Sequence, residues 1–383
     1  MKKKLRIAVV VPHWRPALIT GTEVFNEVVV KALKKLHNVS IITSDSYSIR
    51  YFRNLFYNPR IASSPHITRL SHQPVRAFLK YVLHIFFPFY HGPCVDNKEL
   101  YRALTLEKFD IVYLSSIPHS LNYQTVKIIK ENNLPTKIII RPNYHAKVYV
   151  KNNIHYQYVL SKANAIHVWT FAEKRELRRD YQISAKKIII MRPPLWKKQK
   201  GGVLSSPKLN SKKIILYAGE KNRDKGIYAL ISAVNHMKRD NVQIVTIGPH
   251  DWKWTCYRFL HPQSFLTDLG YVNAKKKDQL FKECDIFCLP SYADSFGFAY
   301  FDAWKYKKPI IAAQTEVTKE LIQDNKAGLL VERDNVGEFA HTISILLENE
   351  ALMDELGRNG YDYIQSSLSF RRNLKSYLSL FTI

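Results

Sequence analysis

Apolar residues along this chain fall into short runs, separated by stretches in which they recur at helical spacing. The run Arg6–Val11 predicts a strand. After a loop, the pattern predicts a helix over Glu23–Leu36 and then a second strand at Val39–Thr43. A strand, a helix and a strand in that order make a βαβ unit and imply a parallel sheet. Further runs predict strands at Ile111–Leu114, Lys137–Ile140, Ala165–Val168 and Lys187–Met191, with helices at Asn122–Lys130 and Ala172–Asp180 between them. From Arg192 to Pro207 the composition turns to Pro, Gly, Ser and Lys, which predicts a linker. A second βα series starts at Lys212–Ala218. It continues with strands at Val242–Ile247, Leu266–Leu269, Asp285–Leu289, Pro309–Ala313 and Gly328–Val331, and a helix around Phe370–Leu380 closes the chain. The expected fold class is therefore α/β, with two doubly wound parallel-sheet domains.

Length supports that division, since 383 residues give two domains a core each. Charge separates them. Residues 1–200 carry 34 Lys/Arg against 11 Asp/Glu, whereas residues 201–383 carry 24 against 21. The first half is thus expected to meet an anionic surface or partner. Cys94, Cys256, Cys284 and Cys288 lack metal-ligand spacing, and reduced thiols in a cytoplasmic protein are the expectation. The apolar run after Met1-Lys2-Lys3-Lys4 stops at Pro12, too short for a signal peptide, and no stretch approaches the ~18 apolar residues of a membrane span.

The stretch Leu289-Pro290-Ser291-Tyr292-Ala293-Asp294-Ser295-Phe296-Gly297-Phe298-Ala299-Tyr300-Phe301-Asp302-Ala303 carries the most chemistry. The strand ends at Pro290, a turn with Gly297 follows, and a helix runs toward Trp304, so that Asp294 lies in the loop and Asp302 in the helix. Ligands of open α/β sheets bind where loops leave the carboxyl ends of strands, and helix-start N–H groups hold anions there. Two ionised carboxylates suit a polyhydroxy ligand because they accept pairs of hydroxyl hydrogen bonds. The same residues are also compatible with a helix cap and a solvated surface acid.

This stretch resembles the acid-x7-acid signature of retaining glycosyltransferases of the GT-B fold, family 4, with Asp at both positions where glutamate is usual. The similarity extends through Lys308-Pro309-Ile310-Ile311-Ala312-Ala313, Glu320-Leu321-Ile322 and Ala327-Gly328-Leu329-Leu330-Val331. It also takes in Leu269-Gly270-Tyr271-Val272 and Cys284-Asp285-Ile286-Phe287 upstream. The resemblance implies a GT-B architecture. An acceptor-binding domain would span residues 1–195, a linker 196–207, a nucleotide-sugar domain 208–365, and a helix in 366–383 would cross back to the first domain.

The resemblance also implies site residues. The donor would be a nucleoside-diphosphate sugar, whose leaving diphosphate needs positive charge placed in advance. In Gly219-Glu220-Lys221-Asn222-Arg223-Asp224-Lys225-Gly226, Lys225 occupies the family's lysine position and is the expected phosphate ligand. Glu220 occupies the position of the family's arginine, and Arg223 or Lys221 would supply the missing charge from the same loop. Gly21 matches a glycine before the first helix that lets backbone approach the diphosphate. Asp302 would accept the ribose hydroxyls and Asp294 would lie near the transferred sugar, with main-chain N–H groups at Phe296, Gly297 and Phe298 on sugar and phosphate. In Arg141-Pro142-Asn143-Tyr144-His145, Asn143 stands where a histidine usually lies near the sugar, and His145 remains; His119 follows another strand end. No Asp-x-Asp pair occurs in the chain, so no metal or other cofactor is expected.

No acid occurs from Ser46 to Val95, where Arg53, Arg76 and Lys80 interleave with aromatics including Phe86 and Phe87. Cations among rings suit the headgroup boundary of an anionic membrane. The alternative is core aromatics with solvated arginines. A lipid-linked or glycan acceptor and a peripheral place at the cytoplasmic membrane face follow from the first reading. Nucleic acid, which also favours this mixture, lacks any accompanying motif. A non-catalytic sugar-nucleotide-binding or partner subunit of the same fold is the rival function.

Overall fold

The computed structural model describes residues 4–14, 21–45, 66–71, 73, 94–116, 119–144, 153–194, 212–292, 294 and 296–382. The expectations for His145, Arg53, Arg76, Lys80, Phe86, Phe87 and the linker 196–207 lie outside the described residues. The chain divides into two compact units, one of Met1–Pro194 with Arg371–Ile383 and one of Leu195–Phe370.

The first unit is built on β1 (Arg6–Val10), β2 (Asn38–Ser44), β3 (Ile67–Leu70), β4 (Ile111–Ser115), β5 (Lys137–Arg141), β6 (Ala165–Val168) and β7 (Ile188–Ile190). These form one parallel sheet in the order β3-β2-β1-β4-β5-β6-β7. Helices Gly21–Leu33, Asn97–Leu106, Ser120–Glu131, Ile154–Ser161 and Phe171–Tyr181 alternate with the strands. Helices on both faces leave the strands buried on both sides, which is why they read as nearly unbroken Ile/Val/Leu runs. Ile138, Ile140, Val112, Leu114 and Ile166 are buried in one core cluster with Leu121 and Ile129 of the covering helix.

The second unit repeats the plan with β8 (Lys213–Ala218), β9 (Val242–Ile247), β10 (Leu266–Asp268), β11 (Ile286–Leu289), β12 (Ile310–Ala313) and β13 (Leu329–Val331). Its parallel order is β10-β9-β8-β11-β12-β13. Helices Ile227–Met237, Trp252–Leu260, Ala274–Glu283, Phe298–Trp304, Val336–Glu348 and Glu350–Ser367 surround it. The last helix, Phe370–Ser379, falls largely in the first unit. In both sheets the first strand lies between the second and the fourth, so the winding direction reverses there. In open α/β sheets the ligand site lies at such a switch point, outside the carboxyl ends of the strands.

Several described elements were not placed from the sequence, among them β3 and helix Asn97–Leu106. β3 is four residues at the sheet edge and only its last residue is buried. The helix carries a legible start signal in Asp96-Asn97-Lys98-Glu99, an acid cap followed three residues later by Glu. Asp96 Oδ1 accepts from Lys98 N at 2.8 Å and Glu99 N at 3.0 Å, while Glu99 turns away to bind Ser71.

Candidate functional site

At the switch point of the second unit the loop after β8 meets the loop after β11. Two glycines allow the approach. Gly226 has φ +74°, and a Cβ there would stand 2.3 Å from the Pro290 carbonyl oxygen. Gly297 has φ +64°, and its Cβ would strike the Tyr300 ring at 2.3 Å. A side-chain-bearing residue at either position meets both a disfavoured backbone conformation and a clash. Tyr292 N donates to the Asp224 carbonyl at 2.9 Å, which joins the loops through backbone.

Two buried tyrosines brace this junction. Tyr217, in β8, donates its hydroxyl to the Glu220 carbonyl at 2.6 Å, and Tyr300 donates to the Leu289 carbonyl at 2.9 Å. Burial and then the Asp294 carboxylate push both phenols well above their ordinary range, so both remain neutral donors.

The braced loops bring Lys225 to Asp294. Nζ lies 2.7 Å from Oδ1, with side chains 23% and 20% exposed, so the pair is reachable from solvent yet shielded on most sides. Asn222 Oδ1 accepts from Lys225 N at 2.9 Å and fixes the lysine's backbone. Asp302, in helix Phe298–Trp304, bonds instead to Lys277 of helix Ala274–Glu283 at 2.5 Å, and both side chains are about two-fifths exposed. Gly219 follows the end of β8 and Arg223 is exposed on the loop. Phe296 is buried against Phe301 and Phe298, at 4.7 and 5.7 Å between ring centroids. Its side chain therefore anchors the loop, which leaves backbone as the contribution of Phe296 and Gly297 to any ligand.

One expectation fails. Lys221 does not supply charge to the loop, because its side chain is fully buried with Nζ 3.0 Å from Asp268 Oδ1 and 2.6 Å from the Gly248 carbonyl. Asp268 also accepts from Trp254 Nε1 at 2.7 Å and from Gly270 N at 2.9 Å. Burial alone would raise this carboxyl, but the bonds from Gly270, Trp254 and Lys221 outweigh it and hold Asp268 below the usual carboxylate range. Lys221 thus ties together the loops after β8, β9 and β10. The alternation of charges in Glu220-Lys221-Asn222-Arg223 reads as a surface loop and hides this.

In the first unit, the start of helix Gly21–Leu33 meets the loops after β4 and β5 at the corresponding switch point. Gly21 begins its helix, and the neighbouring Thr22 accepts from Asn143 Nδ2 at 3.2 Å. Asn143, in the left-handed region at φ 55°, also donates to Ser116 Oγ at 2.9 Å. It is buried, with Nδ2 holding the start of helix Gly21–Leu33 and the loop after β4, and with Oδ1 left without a hydrogen-bond partner among the described residues. His119 takes the cap position of helix Ser120–Glu131 without capping it through its side chain. Arg141, which the sequence reading used only as part of a motif, is buried with its guanidinium 3.7 Å from the centroid of the Trp169 ring. Among the described residues no group of three His, Cys, Asp or Glu side chains could hold a metal ion.

Residues 205–363 match the family described as Glycosyl transferases group 1, a span that contains Lys225, Asp294 and Asp302. That match covers about two-fifths of the chain and lies within its second unit. Among curated relatives, the N,N'-diacetylbacillosaminyl-diphospho-undecaprenol alpha-1,3-N-acetylgalactosaminyltransferase of Campylobacter jejuni is 28% identical over 178 residues, which is 45% of each protein. The match thus spans under half of that relative's length. Solved structures extend the likeness in fold to nearly the whole chain. Sucrose-phosphate synthase from Thermosynechococcus elongatus superposes with TM-score 0.76 at 17% identity, covering 99% of this chain and 98% of that one. Anabaena HepE in complex with UDP and glucose superposes with TM-score 0.72 at 13% identity, covering 99% of both. The family's GT-B fold accounts for the two doubly wound sheets described above.

Proposed function

We propose that the protein is a retaining, metal-independent glycosyltransferase. It moves a hexose from a nucleoside-diphosphate sugar to a lipid-linked or glycan acceptor at the cytoplasmic face of a membrane. The observation that carries this reading is the Lys225–Asp294 pair at the switch point of the family-matched unit. Supporting it, HepE is described with UDP and glucose, and the Campylobacter relative is named for a diphospho-undecaprenol substrate. The strongly basic first half fits an acceptor that carries lipid phosphate.

In this reaction the bond from the anomeric carbon to the diphosphate oxygen breaks, and a bond to the acceptor hydroxyl oxygen forms on the same face of the sugar. The acceptor's proton passes to the leaving phosphate. Lys225 places positive charge where the diphosphate charge develops, which favours the transition state without a metal. When the donor enters, the ammonium turns from Asp294 to phosphate and Asp294 is released to accept sugar hydroxyls. Asp302 faces a smaller obstacle. A half-exposed ion pair such as Lys277–Asp302 is worth about 0–1 kcal/mol, so ribose hydroxyls can take over that carboxylate.

Thermal unfolding against UDP, GDP and ADP tests the site. Ligand at a hundred times its dissociation constant stabilises the fold by about 2.7 kcal/mol. One nucleotide is expected to raise Tm, and the shift is expected to vanish in Lys225→Ala and Asp302→Ala. With the matching nucleotide sugar, Lys225→Ala should lower turnover by about 10²–10³-fold, the usual cost of one preorganised charge-stabilising donor. Retention is read from the anomeric configuration of the product, and turnover that survives a chelator supports metal independence. Glu220 at the family's arginine position favours the rival, a non-catalytic sugar-nucleotide-binding subunit; nucleotide binding with no turnover on any acceptor would establish it.

A further inference from the structure

Helix Trp252–Leu260 in the second unit turns the wrong residues outward for a buried crossover helix. Trp252 is 71% exposed, Phe259 85% and Leu260 68%, and Cys256 is exposed as well. These positions are spaced i, i+4, i+7 and i+8, so they share one face of the helix. Trp254, on the opposite face, is fully buried and bonded to Asp268, and it packs near Tyr228 and Tyr257. Anchored by Trp254, the helix holds its second apolar face toward solvent. Asp251 caps its start by accepting from Trp254 N at 3.1 Å.

The surroundings of this face are basic. The helix itself carries Lys253 and Arg258 and no acid. An open cavity of about 700 Å³ at its C-terminal end is lined by Lys238, Arg239 and Arg258, with Asp240 as the acid among them. Of these cations, Arg239 pairs with Glu348 and Arg258 stands 3.9 Å from Asp268. The exposed area also discriminates between occupants. An aromatic side chain buries about 150–250 Å², so Trp252, Phe259 and Leu260 together offer roughly 500 Å². That is the size of the largest apolar patch on a typical monomer, which is often functional, and it is small beside the roughly 800 Å² per partner of a stable protein interface. A bilayer needs no shape-matched partner surface. It accepts a few rings at the headgroup level, and anionic lipids add attraction for each nearby cation.

We propose that the Trp252–Phe259–Leu260 face of this helix is a membrane-contact surface that inserts into the headgroup region of anionic bilayers, with Lys253, Arg258 and Lys238 on the lipid phosphates. The surface belongs to the second unit, and the proposal stands whether or not the acceptor is lipid-linked.

The test uses the full chain and vesicles of phosphatidylcholine, alone or mixed in equal parts with phosphatidylglycerol. Co-sedimentation is expected with the mixed vesicles. The combined variant Trp252→Ser, Phe259→Ser, Leu260→Ser should partition at least about tenfold more weakly while keeping the parent's Tm and nucleotide response. Cys94, Cys284 and Cys288 are buried, so an environment-sensitive fluorophore on Cys256 reports the face directly, and its emission should move to the blue on the mixed vesicles. Partitioning of the variant equal to the parent's, or a label that stays in water while the protein sediments, would overturn the proposal. So would a concentration-dependent dimer in buffer that the variant abolishes, since the face would then be a protein interface.

Discussion

Lys221 and Lys225 stand four residues apart on one loop, and burial gives them opposite tasks. Lys225 keeps about a quarter of its side chain in solvent beside the Asp294 carboxylate, so a competing phosphate can capture it. Lys221 is sealed inside with Asp268, and removing its ammonium strands a buried charge. Breaking such a pair costs about 3–5 kcal/mol. Lys221→Met should sit near the lower end, because Trp254 and Gly270 still donate to Asp268; urea unfolding measures it. A different buried group sets a pH dependence in the first unit. Burial raises the Glu173 carboxyl to about 7, against the lowering effect of bonds from Tyr144 N and Trp169 N and of Arg141. A carboxyl raised in the folded state binds its proton more tightly there than in the unfolded chain. Its contribution is therefore complete below about 4.5 and is lost as pH rises toward about 7. Glu173→Gln should flatten that part of the stability–pH curve, and wild type should lose stability relative to the variant on going from acid to neutral pH.

Among the elements, the junction of the loops after β8 and β11 is where small changes have large consequences. Gly226→Ala forces a methyl against the Pro290 carbonyl and strains φ at once. Unfolding should become easier by about 2 kcal/mol, within the usual range for such substitutions, and the nucleotide-induced rise in Tm should shrink because Lys225 is the next residue. The strands on either side of this junction were legible as apolar runs because helices cover both faces of the sheets, and in each unit the βα alternation anticipated the parallel order. Asp294 and Lys225 could be singled out as candidates because they lie in the loops that leave β11 and β8, where the chain's punctuation by Gly and Pro is plainest, whereas Asp302, inside helix Phe298–Trp304, was reached only through its spacing from Asp294. β3 escaped because one buried residue in four leaves no period to read. Lys221 and Asn143 escaped for another reason. Their roles depend on partners 47 and 27 positions away, Asp268 and Ser116, and nothing in the local pattern distinguishes a buried polar residue with a distant partner from a solvated one.

Over the whole molecule, the chain leaves the first unit at Pro194 and returns at Arg371. The returning helix is fastened by Tyr377, which is fully buried, packs edge-on against Phe25 and His167, and shares hydrogen bonds with the Tyr113 hydroxyl and with His167 Nδ1 at 3.3 Å. Burial, with a smaller contribution from Arg141, pushes His167 down to about 3, so it stays neutral in this cluster. Tyr377→Phe removes one oxygen from the network and should lower stability by about 1–3 kcal/mol, the cost of unpairing buried polar groups. Nucleotide affinity measured well below Tm should be unchanged, since Lys225, Asp294 and Asp302 all belong to the other unit. The same return sets an order of events during synthesis. Residues 195–370 form one uninterrupted stretch and can pack as soon as they leave the ribosome. The first 194 residues emerge earlier yet lack the helix that closes their core until Arg371–Ile383 follow. At roughly 5–20 residues per second, residues 1–194 wait roughly 9–38 s for segment Arg371–Ile383. During that interval the Phe25 and Tyr113 surface lacks its cover, so chaperone demand should fall on the half made first rather than the half made last.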